Sequence, residues 1–185
     1  MILFKIIKKL RVWWYLHIST LNVKGKGKYT QPVRFIGRGN AILGDGNVFE
    51  VVNSACFDGT SYIEARYEDS EIYIGQNNHF NNNLTIVAEH GKIRIGDDCL
   101  VGTNVSIINS DFHHVSIAKR HGANARSKDV EIGNNVFIGS NVSICKGVHI
   151  GDNAVIANGA VVFDDVKANT IVRGNPATYY KEIYE

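Results

Sequence analysis

The chain has 185 residues, of which 44% are hydrophobic and 21% charged, and its formal net charge is +2. That length supports one domain with a proper core and leaves a second cramped, while so small a net charge excludes the global basic field of a nucleic-acid binder. Eighteen glycines stand against two prolines, Pro32 and Pro176, amid many asparagines. Gly and Asn tolerate left-handed backbone angles best, so the composition predicts many tight turns.

The first predicted element is a helix within residues 1–22. Ile2, Leu3, Ile6, Ile7 and Leu10 recur at helical spacing, with Lys5, Lys8, Lys9 and Arg11 largely on the other face. These charges leave no apolar run long enough to span a bilayer, and no small-residue site of signal-peptide cleavage follows. Two placements fit such a helix. It packs on the body or a neighbouring subunit, or it rests as a basic amphipathic helix on an anionic membrane surface. Cys56, Cys99 and Cys145 lie far apart without C-x-x-C spacing. That argues against a disulfide framework and fits a reduced cytosol, with Cys99 and Cys145 as small buried hydrophobes.

Further along, the dominant signal is a repeat. From Ile132 an aliphatic side chain returns every six residues, at Ile138, Ile144, Ile150, Ile156 and Val162. A less regular run precedes it: Ile74, Phe80 and Ile86, then Ile95, Val101 and Ile107. Before that, FIGRGNAILGDGNVFE keeps the I-G and L-G pairs but loses the strict spacing. A helix would return its apolar residues every three or four positions and an amphipathic strand every two. A return at six fits a short strand and a turn, with one large aliphatic side chain pointing inward per strand. Each such rung buries little alone, so stacking makes the core. The period breaks briefly between Val87 and Lys92, and then at length over 109–129. The long excursion opens with Asp111-Phe112-His113-His114 and continues through Lys119, Arg120, His121 and Arg126. A loop of that size in so regular a scaffold is usually functional.

The I-G-x-N-V/A-x units resemble the hexapeptide-repeat acyltransferases over roughly residues 33–178, and NSDFHHV resembles the sugar O-acetyltransferase branch. The resemblance implies a mainly β fold, a left-handed parallel β-helix shaped as a triangular prism, with a short N-terminal helix and a long loop after Ile107. Its hand departs from the right-handed crossover rule. The domains expected are an N-terminal amphipathic helix (1–22), the β-helix acyltransferase domain (23–178, with the inserted loop 109–129) and a C-terminal tail (179–185).

The resemblance also implies roles. A sugar hydroxyl attacking a thioester needs a base that titrates near neutrality, and the family places a His in this loop. Matching outward from Ile107 puts His113 there, with His114 as the runner-up. Asp111 and Glu89 are candidates to orient the imidazole; Glu89 follows NNNLTIVA, where Ala88 replaces the first of two family acids. Asn81 and Asn83 of that motif are candidates for the acceptor sugar. For acetyl-CoA the candidates are Phe137, Gly139, Ser140, Ala157, Asn158, Arg173 and Lys181, with the Ser140 backbone N–H holding the oxyanion. Asp164 and Thr178 replace basic residues that relatives often carry, so Lys167, Arg173 and Lys181 are left to meet the phosphates.

The function so implied is acetyl-CoA-dependent O-acetyl transfer to a sugar hydroxyl of a cell-surface polysaccharide (capsule, O-antigen or sialic-acid type) or its precursor. No metal is expected. The partners are a sugar or glycan acceptor and two further copies in a cytoplasmic homotrimer with interfacial sites. Three alternatives share the fold: an antibiotic O-acetyltransferase, a γ-type zinc carbonic anhydrase with three converging His ligands, and a non-catalytic scaffold. The basic cluster Lys119, Arg120 and His121 is either a solvated face or an attractor for an acidic acceptor.

Overall fold

A computed structural model describes residues 2–50, 59–122 and 126–183. Helix α1 (Ile2–His17) leads into six coils of three short strands each. The first coil runs through β1 (Asn22–Lys24), β2 (Lys28–Tyr29) and β3 (Val33–Gly37), the second through β4 (Asn40–Leu43), β5 (Val48–Phe49) and β6 (Ser61–Ala65). The third comprises β7 (Ser70–Ile74), β8 (His79–Phe80) and β9 (Thr85–Ala88). The fourth comprises β10 (Gly91–Ile95), β11 (Leu100–Val101) and β12 (Ser106–Ile108). After the long loop come β13 (Val130–Ile132), β14 (Phe137–Ile138) and β15 (Ser143–Ile144), then β16 (His149–Ile150), β17 (Val155–Ile156) and β18 (Val161–Val162). Strands β19 (Thr170–Arg173) and β20 (Thr178–Glu182) close the far end.

Every third strand pairs, which gives three sheets: A (β1-β4-β7-β10-β13-β16), B (β2-β5-β8-β11-β14-β17-β19-β20) and C (β3-β6-β9-β12-β15-β18). The named ladders are parallel except β19–β20. This is the architecture of a left-handed parallel β-helix, and the repeat shows how the sequence specifies it. On sheet A the register stacks Leu43, Ile74, Ile95, Ile132 and Ile150. On sheet B it stacks Phe49, Phe80, Val101, Ile138, Ile156 and Val172. On sheet C it stacks Phe35, Ile63, Ile86, Ile107, Ile144 and Val162. All of these side chains are buried and form one continuous core. Phe35, Leu43 and Phe49 show that the irregular FIGRGNAILGDGNVFE stretch fills the same inward slots. Tyr29, Phe49 and Phe80 stack with centroids 5.3 and 4.8 Å apart, so aromatic rings fill the first coils where aliphatic residues fill the later ones.

The corners explain the asparagines. Asn77, Asp98, Asn135, Asn153 and Asn169 have positive φ at the A–B corner, and Asn83, Asn104 and Asn141 at the B–C corner. Asn tolerates this conformation because its short amide bonds locally, and here the amides also bond from coil to coil. Asn135 Nδ2 donates to Asn153 Oδ1 at 2.8 Å, and Asn153 Nδ2 to Asn169 Oδ1 at 2.9 Å. Inside the first corner the buried Asn47 and Asn78 continue the pattern, Asn78 N donating to Asn47 Oδ1 at 3.1 Å and Cys99 N to Asn78 Oδ1 at 2.8 Å.

The cysteines divide. Cys99 is buried, and burial pushes its thiol up to about 11, but Cys145 is half-buried rather than fully enclosed. Cys56 lies outside the described residues. Helix α1 docks on the first coil beside β3 with Leu16 against the core. Its apolar face is nevertheless turned outward, with Leu3, Ile6, Leu10, Trp13 and Trp14 all exposed, so the packed-on-the-body expectation holds for the other side of the helix only. Among the described residues no helix is long and apolar enough to cross a membrane.

Candidate active site

The chain leaves sheet C for sheet A at one corner of the prism, and this C–A corner carries the long loop. Successive coils stack there residues 66–69, 89–90, the 109–129 excursion and 145–148. The loop entry is fixed by side chains from two coils below. Asn109 is buried; its Oδ1 accepts the Glu89 N–H at 2.8 Å, and its Nδ2 donates to the His90 carbonyl at 2.5 Å. Ser110 Oγ donates to Glu89 Oε2 and accepts from Phe112 N at 3.0 Å. Phe112 takes a left-handed backbone, φ 59°, and lies under the Arg66 guanidinium, 4.7 Å from its ring centroid.

Arg66 is shared by two acids. Its Nε donates to Glu64 Oε1 at 2.7 Å, and its Nη1 lies 3.7 Å from Glu89 Oε1. Tyr62 Oη donates to Glu64 Oε2 at 2.9 Å. Burial alone would raise the Glu64 carboxyl, but hydrogen bonds from Arg66 and Tyr62 and the Arg66 charge outweigh it and hold the group below its ordinary value. The same bonds to Glu64 raise Arg66 against the opposing effect of burial. This acid–guanidinium–acid bridge sits beneath the loop and holds its first turn.

Beyond that anchor the loop opens to solvent. His113 is exposed, and its Nδ1–H donates to the Arg120 carbonyl at 3.3 Å. A carbonyl only accepts, so this contact places a hydrogen on Nδ1, and in the neutral ring Nε2 is then the acceptor. His113 and the half-buried His114 line a pocket of about 250 Å³ with Asp111, Arg126 and Lys146.

Among the described residues neither expected orienter hydrogen-bonds to His113. Asp111 pairs with Lys146 Nζ, a full opposite charge reaching in from the next coil, and Lys146 also donates to the Arg126 carbonyl at 3.1 Å. Glu89 turns inward to Ser110 and Arg66 and is 8% exposed. The Arg120 carbonyl stands where a carboxylate was expected.

The donor and acceptor candidates gather at a different corner. Asn81, Asn83, Gly139, Ser140, Ala157 and Asn158 all lie in segments linking sheet B to sheet C, and Arg173 ends β19 on that side. Asn83 is a corner residue with φ 61°, and its Nδ2 donates to Asn104 Oδ1 at 2.8 Å as part of the asparagine ladder. Asn81 differs, since its Oδ1 is buried with no hydrogen-bond partner among the described residues. The Ser140 N–H expected to hold an oxyanion is occupied; it donates to Asn158 Oδ1 at 2.7 Å. The repeat is the reason. At the A–B corner Gln76, Asp97 and Asn134 donate their amides in the same way to Asp97, Asn134 and Asp152, at 2.6, 2.9 and 2.6 Å. Gly139 answers to the same packing, because a Cβ there would lie 2.4 Å from Asn158 Oδ1. Phe137 projects from sheet B, 49% exposed. Arg173 lies 3.8 Å from the Tyr180 ring centroid, and Lys181 Nζ is 5.8 Å from the same ring.

Sequence reasoning missed Glu64, Arg66, Asn109, Ser110 and Lys146. Lys146 had a signal, since ICKGVH breaks the I-G rule at Cys145. Arg66 had none, because it precedes the regular repeat.

Residues 129–164 match the model for bacterial transferase hexapeptide (six repeats), and residues 92–110 match the hexapeptide repeat of succinyl-transferase. The chain is 41% identical over 116 residues to galactoside O-acetyltransferase of Escherichia coli (strain K12), covering 62% of this chain and 55% of that one. It is 36% identical over 81 residues to polysialic acid O-acetyltransferase of Neisseria meningitidis, covering 44% and 38%. The matched part thus spans about half the length of such curated relatives, or less. Among solved structures, galactoside acetyltransferase in complex with coenzyme A superposes with a TM-score of 0.61 at 25% identity, covering 98% of this chain and 81% of that one. The repeat matches and the fold shared with galactoside acetyltransferase relate this chain to the hexapeptide-repeat acetyltransferases.

Proposed function

We propose that this protein transfers an acetyl group from acetyl-CoA to a sugar hydroxyl, with a cell-surface polysaccharide or its precursor as the acceptor class. The observation that carries the reading is His113, whose Nδ1–H meets a carbonyl while the ring lines a pocket on the loop corner. Nε2 removes the hydroxyl proton as the sugar oxygen attacks the thioester carbon. The new C–O bond forms, the C–S bond breaks, and the CoA sulfur leaves with the proton carried by His113. Glu89, Ser110 and Arg66 fix the loop entry instead of touching the imidazole, and Asp111 holds Lys146 at the pocket wall. Lys119, Arg120 and His121 give the loop a basic flank suited to an acidic acceptor.

Residues 23–178 act as one catalytic unit in this reading, and use of acetyl-CoA assigns its work to the cytoplasm. The unit is incomplete in one chain. His113 belongs to the C–A corner, whereas Asn81, Ala157 and Arg173 belong to the B–C corner, so a homotrimer that sets one chain's loop against another's B–C corner completes the site. The outward row Leu100, Phe137, Val155 and Ile171 on sheet B supports such packing, with Leu100 and Phe137 51% and 49% exposed.

The test follows thiol release from acetyl-CoA over a panel of surface-glycan sugars, including sialic acid polymers. His113→Ala is expected to lower acceptor-dependent release by about a hundred- to ten-thousandfold, as loss of a general base does, and His114→Ala to retain most of it. Full turnover in His113→Ala with loss in His114→Ala would move the base by one residue. Absence of release with every acceptor, despite CoA binding, would overturn the sugar reading.

A further inference from the structure

Helix α1 is built the wrong way round for a helix whose purpose is to cover the end of a core. Leu3, Ile6, Ile7, Leu10, Trp13 and Trp14 follow one another at spacings of three, one, three, three and one, which places them on a single stripe. That stripe faces outward, with exposures of 68%, 48%, 38%, 56%, 52% and 56%. Contact with the first coil falls instead to the side bearing Val12 and Leu16, across a groove of about 470 Å³ that Tyr29 floors, that Lys5, Lys8 and Lys9 line, and that Trp13 borders from the edge of the stripe. Six large apolar side chains in one uncovered row are the mark of an interaction surface.

Charge decides what covers it. Residues 2–17 contain Lys5, Lys8, Lys9 and Arg11 and no acid. With those four set aside, 16 basic residues face 18 acidic ones, so the rest of the chain is net negative while its helix is strongly positive. A second copy seated stripe to stripe would bring two such cationic helices together with no acid on either to pair them. An anionic bilayer meets both features at once: the stripe enters the acyl boundary, the lysines reach the phosphates, and the negative body is held away. Trp13 and Trp14, the chain's two tryptophans, carry the amphipathic rings that favour that depth.

We infer that α1 seats this protein on the surface of an anionic phospholipid bilayer, through the stripe Leu3–Trp14, with the exposed Lys5 and Lys9 on the helix's other side reaching the phosphates. The inference is independent of the proposed chemistry, and its test reads binding alone. Because both tryptophans lie in α1, intrinsic tryptophan emission of the full chain reports the helix without labelling. Emission is expected to shift to the blue, and the protein to sediment, with vesicles of phosphatidylcholine containing about a quarter phosphatidylglycerol. Both signals should weaken in high salt. Lys5→Glu with Lys9→Glu, two exposed positions, should lower the partition coefficient at least about twentyfold with an unchanged circular dichroism spectrum. An unshifted spectrum with anionic vesicles would overturn the inference, as would equal binding of wild type and variant to those anionic vesicles. Emission already blue in the absence of lipid and reddening on dilution would assign the stripe to a second copy instead.

Discussion

Asn104 has φ 56°, accepts from Asn83 Nδ2 and donates to Asn141 Oδ1 at 3.0 Å. Replacing it with Ala imposes the left-handed penalty on a β-carbon with no compensating amide and removes both links. The expected loss is about 1–2 kcal/mol in urea unfolding. Asn104→Gly removes the links but not the conformational freedom, so it should cost less than Asn104→Ala; an equal loss in the two would show that the ladder and not the backbone sets the corner's stability. The same comparison shows what the sequence conceals at this scale. Asn81 and Asn83 are two residues apart in one motif, and composition treats them alike. Only backbone angle and partners separate them: Asn83 is consumed by the corner, while Asn81 keeps a buried Oδ1 without a partner. The loop that carries His113 was legible because it breaks a strict period, but the contact His113 makes was not, since a backbone carbonyl leaves no mark in a sequence.

At the level of elements, the loop's first turn hangs on Glu89 and Arg66. Ser110→Ala removes the Glu89 contact without altering the pocket wall. It should lower kcat through misplacement of His113 while leaving KM for acetyl-CoA near its wild-type value, since the donor candidates lie at another corner. A matched rise in that KM would place Ser110 in donor binding instead. Glu64 supplies a second prediction. Its carboxyl lies below its ordinary value in the folded chain, so the unfolded chain takes up its proton first as pH falls. The stabilisation is therefore complete above the ordinary carboxylate range and is lost as pH drops through the lowered value. Glu64→Gln should be less stable than wild type near neutrality, with the difference closing below about pH 4, as urea unfolding across a pH series would show. A difference independent of pH would mean that the charge of Glu64 contributes nothing. The inward slots of the last four coils were readable from the six-residue returns, because each strand shows one large side chain to the core, whereas the first two coils lose that spacing. The bridge under the loop was not. Coil-to-coil contacts under the loop join residues nineteen or more positions apart, so nothing near Asp111 or His113 names Arg66 as their support.

For the whole molecule, the triangular section has a consequence for how a site is assembled. The loop stands on the C–A corner, while Asn81, Ala157 and Arg173 stand on the B–C corner, and a rigid stacked core does not bend to join them. Subunit mixing tests the homotrimer reading directly. His113→Ala removes the base at one corner. Ala157→Trp, at a half-buried position, fills the other corner and should also abolish turnover. Each variant alone is then inactive. Coexpressed in equal amounts, the two chains form mixed trimers in which each interface draws its loop from one chain and its B–C corner from another. About a quarter of those interfaces combine an intact His113 with an intact Ala157, so thiol release should return to about a quarter of the wild-type rate. A site completed within one chain gives a different result, because no chain in the mixture carries both intact residues and the activity stays at the level of the separate variants.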